Sequence, residues 1–325
     1  MQAKNIKGSV ILLFAAFIWG TAFVAQTSGA ELVGTFTFNA SRSFVGATFL
    51  CIVIAVMNLI NREKNDKIKN KIKNNNELNG TGIKSDGIDS GKTKWPVKGG
   101  IVCGIVLCTA MALQQYGISI YPDGVAASGR AGFLTATYVV MVAVFSVFLG
   151  KKLHVSVIIS TIVCVIGMYL LCLSGGISGI YMGDVCELLC AVCFTGHILV
   201  IEHFSSEDSI KLSCIQFLVC GIISAIIMVM FETVDIHNLI GAALPILYAG
   251  VMSSGVAYTL QMAGQKYVTA SVASIVMSLE SVFAALAGWI LLNEVLSIRE
   301  IAGCVLVFAA VLLAQMQGSE GEAGC

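Results

Sequence analysis

The sequence predicts an all-α integral membrane protein whose ten transmembrane helices form two inverted five-helix repeats. Three observations carry that prediction. Hydrophobic residues make up 57% of the 325 and charged residues 12%. A water-soluble domain carries roughly a quarter charged residues, so this chain could not clothe itself in a polar surface. Apolar runs near the bilayer-crossing length of about 20 residues recur ten times along the chain. The chain also resembles itself at a spacing of 143 residues.

The runs lie at 9–28, 34–58, 98–119, 123–149, 155–174, 182–202, 211–231, 240–263, 268–292 and 298–316. The first follows Lys4 and Lys7, exceeds a signal-peptide core in length and has no small-x-small cleavage site after it, which predicts a retained helix. Most gaps are short, so consecutive helices are antiparallel neighbours. The exception separates the second and third runs. Residues 61–95 are rich in Lys, Asn, Gly and Ser and nearly free of large apolar residues, which predicts a disordered cytoplasmic loop. Pro96, Pro122 and Pro245 fall at or near helix starts, where a missing N–H costs nothing. The predicted units are a first repeat over 8–174, a second over 182–316 and a short tail over 317–325.

Lysine and arginine set the expected orientation. With the N-terminus inside, Lys4, Lys7, the basic stretch from Arg62 to Lys98, Lys151, Lys152, Lys211 and Lys266 all face the cytoplasm, and Arg299 faces out. The positive-inside rule therefore predicts a multi-pass protein of the cell membrane with both termini cytoplasmic. The twelve cysteines, among them Cys103, Cys108, Cys164 and Cys220, sit mostly inside apolar runs and read as packing residues. Cys190 and Cys193 form a C-x-x-C pair without the second pair a zinc site needs.

The repeat aligns "VAASGRAGFLTATYVVMVAVFSVFLGKKL" (125–153) with "VTASVASIVMSLESVFAALAGWILLNEVL" (268–296), so the fourth run matches the ninth. A weaker match sets Gly8 opposite Gly183 at the starts of the first and sixth runs. Five helices is an odd number, so the two copies must cross the bilayer in opposite senses. Inverted repeats are the architecture of secondary transporters, whose halves rock to give alternating access.

These residues resemble the drug/metabolite transporter superfamily, specifically the EamA-type family of two five-helix repeats. "LESVFAALAGWILLNEVL" is similar to its ninth-helix signature, and "AGFLTATYVVMVAVFSVFLGKKL" to the fourth-helix counterpart. Trp19-Gly20 and Arg42 stand where the family commonly has Trp-Gly and Arg. The sequence departs at Ser281, where many members have proline after the glutamate, near Ala143, where many have proline, and at Asn293 and Lys151. The resemblance implies transport of small metabolites such as amino acids, usually export.

Within the runs the clear charges are Arg42, Arg130 and Glu280. At about 1.5 Å per residue, the two arginines lie roughly 12 Å below the outer end and Glu280 near the midplane. Charges at membrane depth mark pathways. Arg42 and Arg130 would hold an anionic group such as a carboxylate. Glu280 would bind an amine or alternate its protonation. Against this stands a buried ion pair tying the second, fourth and ninth helices together. Ser271, Ser274, Ser278, Ser281, Ala285 and Gly288 form a line of small residues that reads as close packing.

Asn39 and Trp19 are further candidates for substrate contact, and His197 for a proton relay beside Glu280. Gln26, Gln114, Gln115 and Tyr116 could line a vestibule or lie at the interface. Asp184 and Glu187 read as solvated helix ends, and Trp95 and Tyr121 as interfacial anchors. No P-loop is present. No cofactor or nucleic-acid partner is expected, only a small-molecule substrate, the lipid bilayer and a coupled proton or ion. The sequence sets no oligomeric state. Two other functions stay open, a membrane-embedded enzyme and a non-transporting membrane subunit. The first is disfavoured because His154, His197, His203 and His237 are scattered.

Overall fold

A computed structural model of the chain describes residues 2–79, 95–122, 127–151, 155–172, 181–292 and 298–315. No strand occurs among them. Seven helices are long and apolar enough to cross a membrane, and three shorter apolar helices accompany them at Val155–Leu170, Ala270–Ala284 and Ile301–Ala314. The outward faces are apolar: Phe148 is 81% exposed and Ile298 88%. Such surface is stable against lipid and not against water.

The first helices follow the predicted runs. They are α1 (Gln2–Ala30), α2 (Thr35–Asn79) and α3 (Val97–Ser119). Helix α2 departs from expectation by running on to Asn79, well past position 61 where the sequence predicts a disordered loop. Once a spanning helix has nucleated, each further residue adds a hydrogen bond without repeating the nucleation cost. The Lys and Glu residues of 61–79 are good helix formers. Residues 80–94 lie outside the described residues.

The fourth run is not one helix but two, α4 (Ala127–Ala136) and α5 (Tyr138–Phe148), broken at Thr137. Next come α6 (Val155–Cys172), α7 (Met182–His203) and α8 (Ser209–Phe231). The eighth run divides into α9 (Ile236–Gly241), α10 (Ala243–Tyr248), a π-helical segment (Ala249–Ala257) and α11 (Tyr258–Gly264). The ninth is broken as well, into α12 (Ala270–Met277) and α13 (Glu280–Leu292), before α14 (Ile298–Gln315) closes the chain.

Neither break contains proline. At each, a hydroxyl donates to the carbonyl three residues back: Thr137 Oγ1 to Leu134 O at 2.5 Å, and Ser278 Oγ to Ile275 O at 2.6 Å. Backbone bonds tighten there too, from Thr137 N to Leu134 O and from Leu279 N to Val276 O. Hydroxyls that bond back in this way bend helices, and three-residue bonds replace the four-residue ladder.

The helices pack in a definite set of pairs. Helix α2 lies along α8, and α6 along α14. Helix α3 packs on α7 and α8, while α1 packs on α11 and the π-helical segment, which also meets α2. Helices α4 and α5 lean on α7, and α12 and α13 lean on α1. The serines of the ninth run are buried at this packing: Ser271 Oγ donates to Ser146 Oγ, and Ser281 Oγ to Gly132 O.

The two ends of the bundle differ in charge. Lys7 stacks on the Tyr267 ring at 5.0 Å, Lys266 donates to Glu207 O, and Lys151 pairs with Glu202. Lys211 lies 5.9 Å from the Trp95 ring at this same end. At the other end Glu232 accepts bonds from Phe36 N and Thr37 N, capping α2.

Candidate functional site

The two broken helices meet at the centre of the bundle, where a cavity contains about 490 Å³ of empty space. Aromatic rings of Trp19, Phe23, Phe194 and Tyr258 form much of its wall. Between them stand Gln26, Arg42, Gln114, Thr135, Tyr138, Ser253, Gln261 and Glu280.

Arg42 is held from two sides. Its Nε donates to Asn39 Oδ1 at 3.0 Å and its Nη1 to Gln26 Oε1 at 3.1 Å. Asn39, one turn earlier on α2, is itself fixed by a bond from Nδ2 to Met111 O at 3.1 Å. Gln26 is braced in turn, because Gln115 Nε2 donates to the Gln26 carbonyl at 3.0 Å. The guanidinium stacks 5.4 Å from the Phe38 ring. Among the described residues its Nη2 has no hydrogen-bond partner, and neither does Trp19 Nε1. Two buried donors on one cavity wall therefore lack an acceptor, and a buried donor left unpaired costs about 1–3 kcal/mol.

Glu280 is the first residue of α13, directly after the break. Its Oε1 accepts from Tyr138 Oη at 3.1 Å, so each side of one broken helix reaches into the other. Arg42 and Glu280 line the same cavity without forming an ion pair with each other.

Tyr258 organises the aromatic side. Trp19 meets it edge-on at 4.8 Å, Phe217 at 5.2 Å and His197 at 5.8 Å. His197 itself stands behind the wall. Its ring Nε2 is 3.1 Å from Gln216 Oε1, and Nδ1 has no partner among the described residues. Of the sequence-predicted residues, Trp19, Arg42 and Glu280 reach the cavity, Asn39 supports Arg42 from behind, and His197 touches it only through Tyr258. Arg130 belongs to α4, and its side chain lies outside the described residues.

Several lining residues escaped the sequence reading. Thr135, Tyr138, Tyr258 and Gln261 are polar groups that apolar runs tolerate singly, so none stood out. The repeat held the usable signal, since Glu280 minus 143 is position 137, beside Thr135 and Tyr138. Asp184 and Glu187 correct the expectation of solvated helix ends. Glu187 is wholly buried and accepts from Thr135 Oγ1 at 2.7 Å. Asp184 accepts from Tyr121 Oη at 2.9 Å and from Tyr181 N at 2.9 Å.

An apolar helical bundle that keeps an arginine, a glutamate and unpaired donors around a central hollow is built as membrane transport proteins are. The chain matches the model of the EamA-like transporter family over residues 181–316. It is 26% identical over 316 residues to an "Uncharacterized transporter" of Archaeoglobus fulgidus, covering 97% of this chain and 87% of that one. It is 21% identical to the "Uncharacterized transporter YoaV" of Bacillus subtilis, over 95% and 96% of the two chains. A solved crystal structure superposes with a TM-score of 0.71 at 17% identity, over 96% of this chain and 99% of that one. That likeness concerns the fold.

Proposed function

We propose that the protein is a secondary-active carrier of small metabolites, amino acids among them, working by alternating access between two inverted five-helix repeats in the cell membrane. The carrying observation is the meeting of two broken helices at a cavity lined by Arg42 and Glu280, neither of them ion-paired among the described residues. Discontinuous helices at matching positions of two halves are the strongest structural pointer to a carrier's binding site.

The packing supports the repeat. Pairing each helix of 8–174 with its counterpart in 182–316 turns the α3–α7 contact into the contact of the eighth run with α1. It likewise turns α3–α8 into the contact of the π-helical segment with α2, and leaves α2–α8 and α6–α14 as self-pairs. The glycine match fits too. A Cβ on Gly8 would lie 3.0 Å from Gly264 O, and one on Gly183 2.9 Å from Gly117 O. The break at Thr137 and that at Ser278–Leu279 coincide within two residues at the 143-residue spacing.

In this reading Arg42 holds an anionic group of the substrate through its unpaired Nη2, with Trp19 Nε1 as second donor and Asn39 and Gln26 fixing the fork. Arg130, on the same broken helix as Thr135, is its proposed partner. Glu280 holds a substrate amine or a proton, and His197 is a relay behind Tyr258. The lysine-bearing end faces the cytoplasm, with both termini. The test is counterflow: proteoliposomes of the purified protein, preloaded with unlabelled metabolite, should exchange it for label without ATP. No exchange across a broad metabolite panel would overturn the reading.

A further inference from the structure

Glu187 has no place in the substrate cavity, yet nothing about its surroundings is ordinary for a carboxylate. It lies on α7, about 8 Å along the helix from the first residue at the usual rise. Its side chain is completely buried. Oε2 accepts from Thr135 Oγ1 at 2.7 Å, and Oε1 has no partner among the described residues. Helix α3 meets it with bare backbone, because a Cβ on Gly117 would stand 2.7 Å from Oε1. Among the described residues no lysine or arginine reaches it; the Arg130 side chain lies outside them. A carboxylate taken out of water without a counter-charge is far costlier than a neutral carboxyl.

The groups facing it connect two regions. Thr135 lines the cavity, and Gln114 Nε2, which also lines it, donates to Thr135 Oγ1 at 3.5 Å. Three residues on, past the break, Tyr138 Oη donates to Glu280 Oε1 at 3.1 Å. The short segment 135–138 therefore puts one hydroxyl on each of two buried glutamates. One turn from Glu187 toward the start of α7 stands Asp184, bonded by Tyr121. The other ionisable groups facing Glu187 are the thiols of Cys186 and Cys190 on α7, while α12 has none.

We propose that Glu187 is a second proton-carrying site of the carrier, linked to Glu280 through the hydroxyls that flank the break between α4 and α5. The inference rests on the transport reading and deepens it, by making the coupling ion a proton. Oε1 takes a proton from water arriving past Asp184 and returns it to water; only that O–H bond forms and breaks. A metal cation fits poorly. Thr135 and Glu187 offer three oxygens between them, fewer than the six or so that hard cations take. Straightening or sharpening the break moves Thr135 and Tyr138 together, so a change of the helix at one glutamate reaches the other.

Infrared difference spectroscopy on the reconstituted full chain, alkaline minus acid, tests this without knowledge of the substrate. Two protonated-carboxyl C=O bands should appear on acidification and shift in D2O. Glu187→Gln should remove one and Glu280→Gln the other. Thr135→Val should displace only the Glu187 band, and Tyr138→Phe only the Glu280 band. Thr135→Val also serves if Glu187→Gln does not yield monodisperse protein, since it retains the carboxyl. Spectra unchanged by both substitutions would overturn the proposal, as would a Glu187 band present at every pH and unmoved by D2O.

In proteoliposomes given a mixture of 14C-labelled amino acids, an imposed pH gradient should drive accumulation in the wild type. Glu187→Gln should lose that accumulation more than it loses exchange at equal pH. Wild-type exchange indifferent to the gradient would overturn the proton site and leave the carrier standing. Failure of all exchange would overturn the carrier, with the infrared result still deciding the titration of Glu187.

Discussion

Arg42 shows how much of a buried charge's behaviour is decided by neighbours that carry none. Its guanidinium has five N–H donors in a fixed plane, and Asn39 and Gln26 occupy two of them. Lysine at this position would keep the charge and lose both the fork and its orientation. Arg42→Lys should therefore raise the half-saturating concentration in exchange about tenfold or more, equivalent to about 1.4 kcal/mol. Asn39→Ala acts through Arg42. It removes one acceptor from Nε and one donor from Met111 O, each costing about 1–3 kcal/mol if left unpaired. It should weaken substrate binding while the maximal rate falls less, and Asn39→Asp should restore part of the affinity by keeping the acceptor. Exchange kinetics at several concentrations separate the two effects. Arg42 and Glu280 were legible in the sequence because a charge in a spanning run is rare enough to demand a use. Glu187 was not, because six residues from a helix start a carboxylate looks the same whether it faces water or a neighbour's backbone. What buries it is Gly117, 70 positions away in sequence.

At the scale of the element, the breaks in the fourth and ninth spans matter most, and they are the part the sequence concealed. Proline, the usual cause of a sharp bend, is absent from both breaks. Thr137 and Ser278 supply the bend by a different route, each turning its hydroxyl back onto a carbonyl that the ladder would otherwise use. Ser and Thr do this in some helices and not in others, so the residue type alone could not locate the break. Thr137→Ala and Ser278→Ala should each slow exchange with protein levels unchanged, and the double variant should slow it further. Equal rates in all three would place the bend in the packing and not in the hydroxyls. Helix α1 presses on the second break at Gly20, where a Cβ would come within 2.7 Å of Glu280 O and 2.5 Å of Phe283 Cβ. Gly20→Ala should lower the melting temperature in detergent, by the ~1–3 kcal/mol typical of overpacking, and should displace Glu280 with it.

For the whole molecule, apolar run lengths and lysine placement made the class and the expected orientation readable, since both follow from the bilayer as solvent. The pairing of helices was readable only in outline. A self-match at 143 residues says that two parts are alike, and packing decides which faces meet. The packing brings Lys7, Lys151, Lys211 and Lys266 to one end and Glu31, Glu232 and Asp235 to the other. At the lysine end Glu202 joins three elements, accepting from Ala270 N at 3.0 Å while pairing with Lys151 beyond α5. Both broken spans are thereby tied to α7 at that end. If the lysine end is cytoplasmic, a cysteine at Lys266 must be shielded from an impermeant maleimide in intact cells. A cysteine at Asn238, one span earlier, must be open to it. With the twelve native cysteines replaced, Asn238→Cys should label at once and Lys266→Cys after the membrane is opened. The opposite pattern would invert the orientation. Labelling of both from one side would mean that the eighth run does not cross, leaving the second repeat with an even number of spans and no inversion between the halves.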